Sequence, residues 1–423
     1  MSRTGSINAI DVGSSKISCI ISMPSADSDK INVVGVATTP SRGVRKGQIV
    51  DIEEAVGAIT DTVEAAERMA GFSISNAFVS ISGDHIQSQN SKGVVAITQP
   101  ESEIEQDDVF RVIEAARAIS LPSSREILHV LPREYIVDSQ HGIKDPIGMA
   151  GVRLETDAHL VTASSIAMKN LTKCVNEIGV EVSGLVYTGL SAAYSCLTET
   201  EKELGVILVD IGGGTTSIAI YAEGACSFSS VIPLGAKKVT DDLAIGLMVN
   251  LESAEKIKHF ISTGLDPADK TMTDEINLLK LGLKEETKTI SRKTVVEGIV
   301  RPRLNEIFTL VGGVLKKSGF AGTTPAGIVL TGGGSLTIDA TSCCKRVLQL
   351  PTRIGSPIGL SGLTDEISSP SYAAVVGLIL YGSSRISSFT PNQKKTSLDS
   401  LIKKFPIKGS VNKVVDFFKS FMP

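Results

Sequence analysis

Two segments of the chain carry the same pattern of a short apolar run, an aspartate and a turn of small residues. The first is Ile7–Lys16 (INAIDVGSSK) and the second is Val206–Thr216 (VILVDIGGGTT). In each segment the β-branched run predicts a buried strand, and the small residues predict a tight turn into a second strand. Glycine and serine turns let backbone N–H groups approach a phosphate closely, because glycine has no Cβ and accepts positive φ at little cost. The repeat therefore predicts two phosphate-binding hairpins.

An aspartate ends the strand pattern in both segments, at Asp11 and at Asp210. Carboxylates can hold a hydrated Mg²⁺ beside bound phosphates, and two carboxylates from opposing halves of a protein can share one ion. The sequence therefore predicts Mg²⁺ at these two residues.

A third glycine turn follows a third predicted strand at Gly327–Ser335 (GIVLTGGGS). This strand has no terminal aspartate, so its turn suits a purine and a ribose better than a metal ion. One glycine-rich turn is weak evidence, because most such turns have only a structural role. Three turns in this order resemble the phosphate-1, phosphate-2 and adenosine motifs of the actin, Hsp70 and sugar-kinase superfamily. The resemblance implies ATP as the ligand.

Size and composition restrict the class of protein. The chain has 423 residues, 42% of them hydrophobic, which is enough for two or more domains with substantial cores. The formal net charge is −4, so there is no indication of nucleic-acid binding. The six cysteines have no CxxC spacing, which favours reduced thiols and a cytosolic setting, and the five scattered histidines are interpreted as structural. We expect no signal peptide, and no apolar run reaches the ~20 residues of a membrane-spanning helix.

The order of predicted elements is typical of an RNase H-like α/β domain that carries an insertion. Asp51 is predicted to cap a helix that ends at Gly71, with Glu54 completing a capping box. From residue 84 to residue 159 the pattern changes to short strands around one amphipathic helix. The predicted elements of this α+β insertion are strands over Gly93–Thr98 and Ile127–Asp138 and a helix over Gln106–Ile119.

The predicted fold is α/β: a duplicated RNase H-like, actin-like two-lobe ATPase fold with the inserted α+β subdomain. A C-terminal amphipathic helix on a flexible linker completes it. The predicted ranges are 1–83, 160–195 and 366–382 for the core of the first lobe (subdomain 1A), 84–159 for the insertion (1C), 196–232 and 304–365 for the core of the second lobe (2A), 233–303 for its outer part (2B), 383–409 for the linker and 410–423 for the terminal helix.

The end of the chain predicts membrane association. Beyond Tyr381 the residues are mainly Ser, Thr, Asn, Gln and Lys, which is typical of a linker. The final segment then places apolar residues at helical spacing; those predicted to enter the membrane are Val411, Val414, Val415, Phe417, Phe418, Phe421 and Met422. A helix of about 18 Å is too short to cross a bilayer but suits its surface, where the lysines of this region would attract anionic lipids. The alternative is a terminal helix that docks on the body.

Further motifs resemble the FtsA family of bacterial cell-division proteins over essentially the whole chain. They are Ser41–Gly47 (SRGVRKG), His129–Tyr135 (HVLPREY), Gly148–Leu154 (GMAGVRL), Ile354–Gly355 and Gly362–Asp365 (GLTD). The resemblance implies a protein that binds ATP with Mg²⁺, polymerises with copies of itself and tethers filaments of the tubulin homologue FtsZ. The implied location is the cytoplasmic face of the cell inner membrane at the division septum, as a peripheral protein. Recruitment of later division proteins through the insertion is also implied.

Motif chemistry and the resemblance together imply roles for the turn residues. Against the phosphates would lie Ser14, Ser15 and Lys16 on one side and Gly212, Gly213, Gly214 and Thr215 on the other. Against the adenosine would lie Gly332, Gly333, Gly334 and Leu336, with Glu255 and Lys258 on the ribose side. Without the resemblance, the spacing of Glu255 and Lys258 indicates an ordinary solvated ion pair.

The resemblance also implies a partner surface on the 2B subdomain. In the family, the acidic C-terminal tail of FtsZ docks there. The basic candidates in this chain are Arg292, Lys293, Arg301 and Arg303. An ordinary solvated face is an equal alternative for these four residues.

One position departs from the superfamily pattern. Where actin and many relatives carry a Gln or Glu that orients the attacking water, this chain has Thr188. A threonine hydroxyl does not ionise near neutral pH and is therefore a poor base. We expect strong ATP binding with slow or negligible hydrolysis, and we assign no catalytic residue.

Three other functions are compatible with parts of the pattern. A sugar-kinase-like phosphotransferase would share the fold, but the sequence offers no convincing acidic base, and the tail would be unexplained. A chaperone of the Hsp70 type would need a substrate-binding domain after the lobes. A type IV pilus assembly scaffold would share the lobes and the insertion, and the amphipathic tail favours the division protein over it.

Overall fold

The computed structural model of the chain describes residues 5–24, 31–97, 103–263, 275–283 and 289–388. The predicted terminal helix, with the seven side chains assigned to the membrane, lies outside these ranges, as does the predicted linker from residue 389 onward. Within the described ranges, no helix is long and apolar enough to cross a membrane.

The first part of the chain forms a β-hairpin, further strands and one long helix. In chain order they are β1 (Ile7–Val12), β2 (Lys16–Pro24), β3 (Ile31–Pro40), β4 (Val44–Arg45), β5 (Gln48–Ile49), α1 (Ile52–Ala70) and β6 (Asn76–Ile81). Helix α1 begins and ends where the sequence predicts. The side chain of Asp51 accepts a hydrogen bond from the N–H of Glu54 at 3.1 Å, and Gly71 ends the helix with a φ of 78°.

The next segment forms the predicted α+β insertion. Its elements are β7 (Gln87–Ala96), α2 (Gln106–Arg117), β8 (Arg125–Val137), β9 (Gln140–Ile143) and β10 (Arg153–Ser164). They form an antiparallel sheet in the order β7-β10-β8-β9. Strand β7 begins six residues before the predicted start at Gly93. Its first half is polar and pairs with β10 from Gln87 onward, so apolar alternation did not reveal it.

The chain then passes into the second lobe. A connecting group comprises α3 (Ser165–Glu177), β11 (Glu181–Tyr187), α4 (Thr188–Cys196) and α5 (Glu199–Leu204). The second lobe begins with β12 (Val206–Ile211), β13 (Thr216–Ala222), β14 (Ala225–Ile232), α6 (Lys237–Leu247) and α7 (Leu251–Thr263).

The remaining elements complete both lobes. They are β15 (Glu275–Asn277), β16 (Thr289–Ser291), α8 (Arg292–Val295), α9 (Arg301–Ser318), β17 (Ile328–Thr331), α10 (Ala340–Leu348), β18 (Thr352–Ile354), β19 (Leu360–Gly362), α11 (Thr364–Ile367) and α12 (Ala373–Ser388). A π-helical turn, Val296–Val300, joins α8 to α9. Helix α12 includes the first six residues of the predicted linker, 383–388.

The two main sheets repeat one plan, as the duplicated motif predicts. The first sheet has the order β11-β6-β1-β2-β3-β19, and the second has the order β14-β13-β12-β17-β18. In each sheet an antiparallel three-stranded unit is extended by two parallel strands on the side of its first strand. One buried apolar cluster contains Ile10 and Val79 of the first sheet and also Leu208 of the second. A separate cluster on the other face of the second sheet contains Val209 and Phe308.

The insertion also contacts the second lobe, along the edge strand β14. The Oγ of Ser88 donates a hydrogen bond to the carbonyl oxygen of Ser229 at 2.7 Å. Nε2 of His159 lies 3.0 Å from the Oγ of Ser229, and Nε of Arg133 donates to the Oγ of Ser227 at 3.0 Å. The insertion is continuous with the first lobe, so these contacts add to the links between the two lobes.

Candidate functional site

The two hairpin turns have the same backbone geometry. The N–H of Gly13 donates to the carbonyl oxygen of Lys16 at 3.1 Å, and the N–H of Gly212 donates to that of Thr215 at 2.8 Å. The flanking strands pair in matching register on both sides of each turn. The same four-residue turn is therefore built once in each lobe.

The two turns face each other and are in contact. A Cβ on Gly213 would lie 2.7 Å from the Oγ of Ser15, and a Cβ on Gly214 would lie 2.7 Å from the Oγ of Ser14. A side chain at either glycine would therefore collide with the opposite turn. The structure thus brings together the predicted phosphate residues of the two lobes.

Unpaired backbone donors lie at this junction. No described residue accepts a hydrogen bond from the N–H groups of Ser14, Ser15, Gly213 and Gly214. Two carbonyl oxygens of the second turn accept hydrogen bonds from the start of helix α6: Gly212 from the N–H of Ala236 and Gly213 from that of Lys237, each at 2.9 Å. Successive free N–H groups in a turn form an anion-binding concavity, so the geometry fits a phosphate.

The two aspartates flank the turns in differently organised surroundings. Asp11 accepts a hydrogen bond from the Oγ of Ser80 at 2.5 Å, and that hydroxyl accepts one from the N–H of Val12 at 3.1 Å. Asp210 is buried beside Gly332, whose φ is 79° and whose missing Cβ leaves room for the Asp210 carboxylate.

Without a bound cation, the surroundings of both carboxyl groups disfavour the ionised form. Burial raises the pKa of Asp11, although Ser80 and Lys16 act in the opposite direction. Burial and the charge of Asp11 raise the pKa of Asp210 to about 7. A cation between the two groups would offset both effects. Among the described residues no group of three or more His, Cys, Asp or Glu side chains could hold a metal, so Mg²⁺ here would need phosphate oxygens or water as its other ligands.

Lys16 contacts two residues, Ser371 and Tyr372, that the sequence motifs do not indicate. Its Nζ donates to the Oγ of Ser371 at 3.3 Å and lies 3.8 Å from the centroid of the Tyr372 ring. Burial lowers the pKa of Lys16, while Asp11 and Asp210 act to raise it. Ser371 and Tyr372 lie near the far end of the chain from Lys16 and carry no recognisable motif, so no local signal could have assigned them.

The third glycine turn lies beside the second. Strand β17 runs parallel to β12, with Thr331 opposite Asp210. The N–H of Gly332 donates to the carbonyl oxygen of Pro370 at 3.1 Å. Gly333 and Leu336 are exposed, so this turn offers a surface on which a flat group could lie.

Glu255 and Lys258 form the ion pair that their spacing predicts. Nζ of Lys258 lies 2.7 Å from the carboxylate of Glu255 and 2.9 Å from the Oγ1 of Thr240. Burial raises the pKa of Glu255, but Lys258 and Thr240 outweigh this effect and the net shift is downward. The pair joins α7 to α6, and its role beside a ribose stays a prediction.

Thr188 begins helix α4 at the connection between the lobes. Its Oγ1 donates a hydrogen bond to the carbonyl oxygen of Ile81 at 3.0 Å. The hydroxyl proton of Thr188 is therefore bonded to the backbone, and the residue helps to join helix α4 to strand β6. Slow hydrolysis stays a prediction.

The four basic partner candidates lie on α8 and α9, and both arginines of α9 are in ion pairs. Arg301 lies 3.0 Å from Glu297 and also contacts Asp339. Arg303 lies 2.6 Å from Asp242 and also contacts Glu306. An acidic partner would have to compete with these carboxylates. On α8, Lys293 is exposed and Arg292 is half-buried.

Two family models match the chain. The one described as "SHS2 domain inserted in FTSA" matches residues 83–162, and the one described as "Cell division protein FtsA" matches residues 207–377. The chain is 42% identical to cell division protein FtsA of Pseudomonas aeruginosa over 376 residues, which cover 89% of each chain. It is 36% identical to that of Escherichia coli strain K12 over 381 residues, which cover 88% of this chain and 89% of the relative.

Solved structures share the fold at low sequence identity. The PilM–PilN type IV pilus biogenesis complex aligns with a TM-score of 0.64 and 15% identity, over 89% of this chain and 98% of the other. MreB5 of Spiroplasma citri bound to ADP aligns with a TM-score of 0.53 and 16% identity, over 92% of this chain and 99% of the other. With the duplicated sheets, these similarities confirm the predicted actin-like fold.

Proposed function

The chain belongs to the FtsA family of cell division proteins, and from this premise we propose that it is an ATP-binding, actin-like protein that polymerises and anchors FtsZ filaments to the cytoplasmic membrane. It would also recruit later division proteins to the septum. The observation that carries its nucleotide-binding part is the pair of equivalent turns, one from each lobe, beside the carboxyl groups of Asp11 and Asp210. Two N–H groups in each turn bond to no described residue. Relatives at 36% to 42% identity favour this role over a pilus scaffold, to which the chain is similar only in fold.

The residues at the turns would bind the triphosphate from both sides. The backbone N–H groups of Ser14 and Ser15 would donate from the first lobe and those of Gly213 and Gly214 from the second, with Lys16 adding a positive charge. Asp11 and Asp210 would hold Mg²⁺ through its water ligands, and the ion when bound would neutralise charge on the phosphates. Each lobe supplies two of the four backbone donors, so the ligand would favour the closed arrangement of the lobes.

ATP would act mainly as a structural ligand. A ligand that binds only the closed state stabilises that state by mass action, by about 2.7 kcal/mol at a concentration of 100 times Kd. Thr188 offers no base for water attack, so the closed state would persist. Closure would prepare the molecule to stack with further copies of itself beneath the membrane.

Calorimetric titration with Mg·ATP tests the nucleotide assignment. Wild-type protein should bind, and Asp210→Asn, which keeps the shape of the side chain but not its charge, should lose detectable binding. The matched control is Asp107→Asn, which removes an exposed aspartate from helix α2 and should leave the affinity unchanged. Full affinity in Asp210→Asn would contradict the assignment.

Liposome and filament sedimentation tests the anchoring assignment. Full-length protein should pellet with anionic liposomes and carry FtsZ with it, whereas a chain that ends at residue 409 should bind Mg·ATP but remain in the supernatant. Continued pelleting of the shortened chain would indicate a different membrane anchor. Loss of FtsZ co-sedimentation in a Lys293→Glu variant that still binds liposomes would support the partner surface on α8 and α9.

A further inference from the structure

A short helical turn, Pro370–Tyr372, lies between the first hairpin turn and the third glycine turn and leads into helix α12. The carbonyl oxygen of Pro370 accepts hydrogen bonds from the N–H of Gly332 at 3.1 Å and from the Oγ1 of Thr331 at 3.3 Å. The next two residues contact Lys16. The segment therefore connects the adenosine turn of one lobe with the phosphate turn of the other.

Tyr372 also contacts the first sheet through its hydroxyl. Its hydroxyl accepts a hydrogen bond from the Oγ1 of Thr38 at 3.3 Å, and that Oγ1 lies 3.0 Å from the Oγ of Ser18. Thr38 and Ser18 are paired residues on β3 and β2. The hydroxyl thus joins Tyr372 to the first sheet, and the ammonium group of Lys16 lies 3.8 Å from the ring centroid.

Direct pairing of Lys16 with the two aspartates would disable the site. Asp11 and Asp210 both attract the Lys16 charge. A flexible four-carbon stem would let the ammonium group pair directly with these carboxylates, which Mg²⁺ needs. An aromatic face attracts a cation without neutralising it, and it leaves the ammonium N–H groups on the far side free to donate.

We propose that Tyr372 is a positioning residue for the nucleotide site: its ring, with the Ser371 hydroxyl, holds the Lys16 ammonium group away from the two aspartates and directed to an incoming phosphate. The proposal rests on the ATP-binding function proposed above. Tyr372 touches no reacting atom and acts through Lys16. Its expected contribution is to affinity for the triphosphate, because the orientation of the lysine is fixed before the ligand arrives.

Substitution of the ring tests the proposal by Mg·ATP titration of the full chain. Tyr372→Leu should weaken binding by about tenfold, as expected for a cation–π contact in a partly buried site. Tyr372→Phe keeps the ring and should restore most of the affinity. In a Lys16→Met background, Tyr372→Leu should cause little further loss, because its effect passes through the lysine.

Replacement of Tyr372 by a trifluorinated phenylalanine separates positioning from folding. Fluorination withdraws electron density from the ring face but barely changes its size, so it weakens the cation–π attraction without opening a cavity. Affinity should fall below that of Tyr372→Phe at an unchanged melting temperature. The matched control is Tyr194→Leu, which removes another lysine–ring contact, 5.6 Å from Lys202 to the ring centroid, and should leave Mg·ATP affinity unchanged.

The outcomes distinguish the two proposals. Equal affinity in the fluorinated and phenylalanine variants, or an equal effect of Tyr372→Leu with and without Lys16, would overturn the positioning role alone. Failure of the wild-type protein to bind Mg·ATP would overturn the proposed function and this inference with it.

Discussion

The two hairpin turns share a backbone but differ in what they supply. The first, Gly13–Lys16, carries two hydroxyls and an ammonium group and is braced by its own lobe, where the Oγ of Ser14 accepts from the N–H of Gly47 at 2.8 Å. The second, Gly212–Thr215, has three bare glycines and one hydroxyl, on Thr215, and is held by backbone bonds from the start of helix α6. The first turn therefore supplies a positive charge, and the second allows its backbone to approach a ligand closely. In a duplicated fold, the two copies of a motif can therefore supply different groups to one binding site.

The largest expected effect is a side chain in the second turn. Gly214→Val would place its Cβ 2.7 Å from the Oγ of Ser14 and 3.1 Å from the Cα of Lys46, so the turns could not stay opposed. Overpacking of this kind costs about 1–3 kcal/mol, which would weaken Mg·ATP binding by up to roughly 100-fold in calorimetry.

The matched change in the first turn sharpens the comparison. Ser14→Ala removes only the bond from Gly47 and should weaken Mg·ATP binding by about threefold to tenfold. Equal losses of Mg·ATP affinity in Gly214→Val and Ser14→Ala would mean that the two turns contribute in the same way, contrary to the difference between them.

A pH series tests whether a shared cation is needed at the aspartates. The pKa of Asp210 is raised to about 7 from an ordinary value of 3.8, so the folded protein binds more protons than the unfolded chain between these values. This carboxyl group therefore makes the ligand-free protein less stable as pH rises from about 4 to 7. The unfolding free energy of Asp210→Asn minus that of the wild type should grow by at least about 1 kcal/mol between pH 5 and pH 8.

The difference between Asp210→Asn and the wild type separates the contribution of Asp210 from those of other titrating groups. Burial lowers the pKa of His129 and His159 to about 3, and these side chains oppose the trend of Asp210 in both proteins alike. A difference that stays constant across the series in denaturant titrations without Mg²⁺ would contradict the raised pKa. Addition of Mg·ATP should reduce the pH dependence of the wild type.

A smaller effect is expected where the insertion contacts strand β14 of the second lobe. Ser229→Ala removes the hydroxyl that contacts His159 at 3.0 Å, which should lower the unfolding free energy by about 1 kcal/mol. The insertion should also exchange amide hydrogens faster along β7 than in the wild type. Ser227→Ala, which removes the hydroxyl that accepts from Arg133 on the same strand, serves as the comparison. Unchanged exchange in both variants would show that the insertion is held by its own sheet and does not depend on the second lobe.

The smallest expected effect is at Thr188. Thr188→Val removes the 3.0 Å hydrogen bond to the carbonyl oxygen of Ile81 and should change Mg·ATP affinity by less than about threefold. Phosphate release should stay far below the ordinary enzyme range of about 1 per second in both proteins. Rapid release by the wild type that disappears in the variant would overturn the view of ATP as a structural ligand.

Much of the fold was accessible from local patterns. The duplicated strand and turn motif predicted two equivalent sheets, because β-branched runs and glycine turns specify strands and hairpins within a few residues. Asp51 and Gly71 predicted the two ends of α1 for the same reason. Strand β7 was only partly predicted, since a polar edge strand is specified by its partner and lacks alternation of its own.

The residues around the turns show which contacts a local sequence pattern cannot predict. Asp11, Lys16 and Asp210 were assigned from their motifs, but Ser80, Ser371 and Tyr372 were not. Serine, threonine and tyrosine occur at many structural positions, so their chemistry becomes specific only when a charged group lies against them. The contacts of Arg301 and Arg303 with acidic residues likewise depend on how the helices pack.

The sequence by itself determined the chemistry of this protein: two hairpins with small-residue turns, an aspartate beside each, and one lysine. Each of these is a local property, because backbone preference and side-chain type act over a few bonds. Only the tertiary structure decided that the turns face each other, that the insertion bonds to the second lobe, and that Tyr372, far along the chain, lies against Lys16. Those arrangements depend on contacts between residues far apart in the chain, whose energies exist only once both lobes are packed.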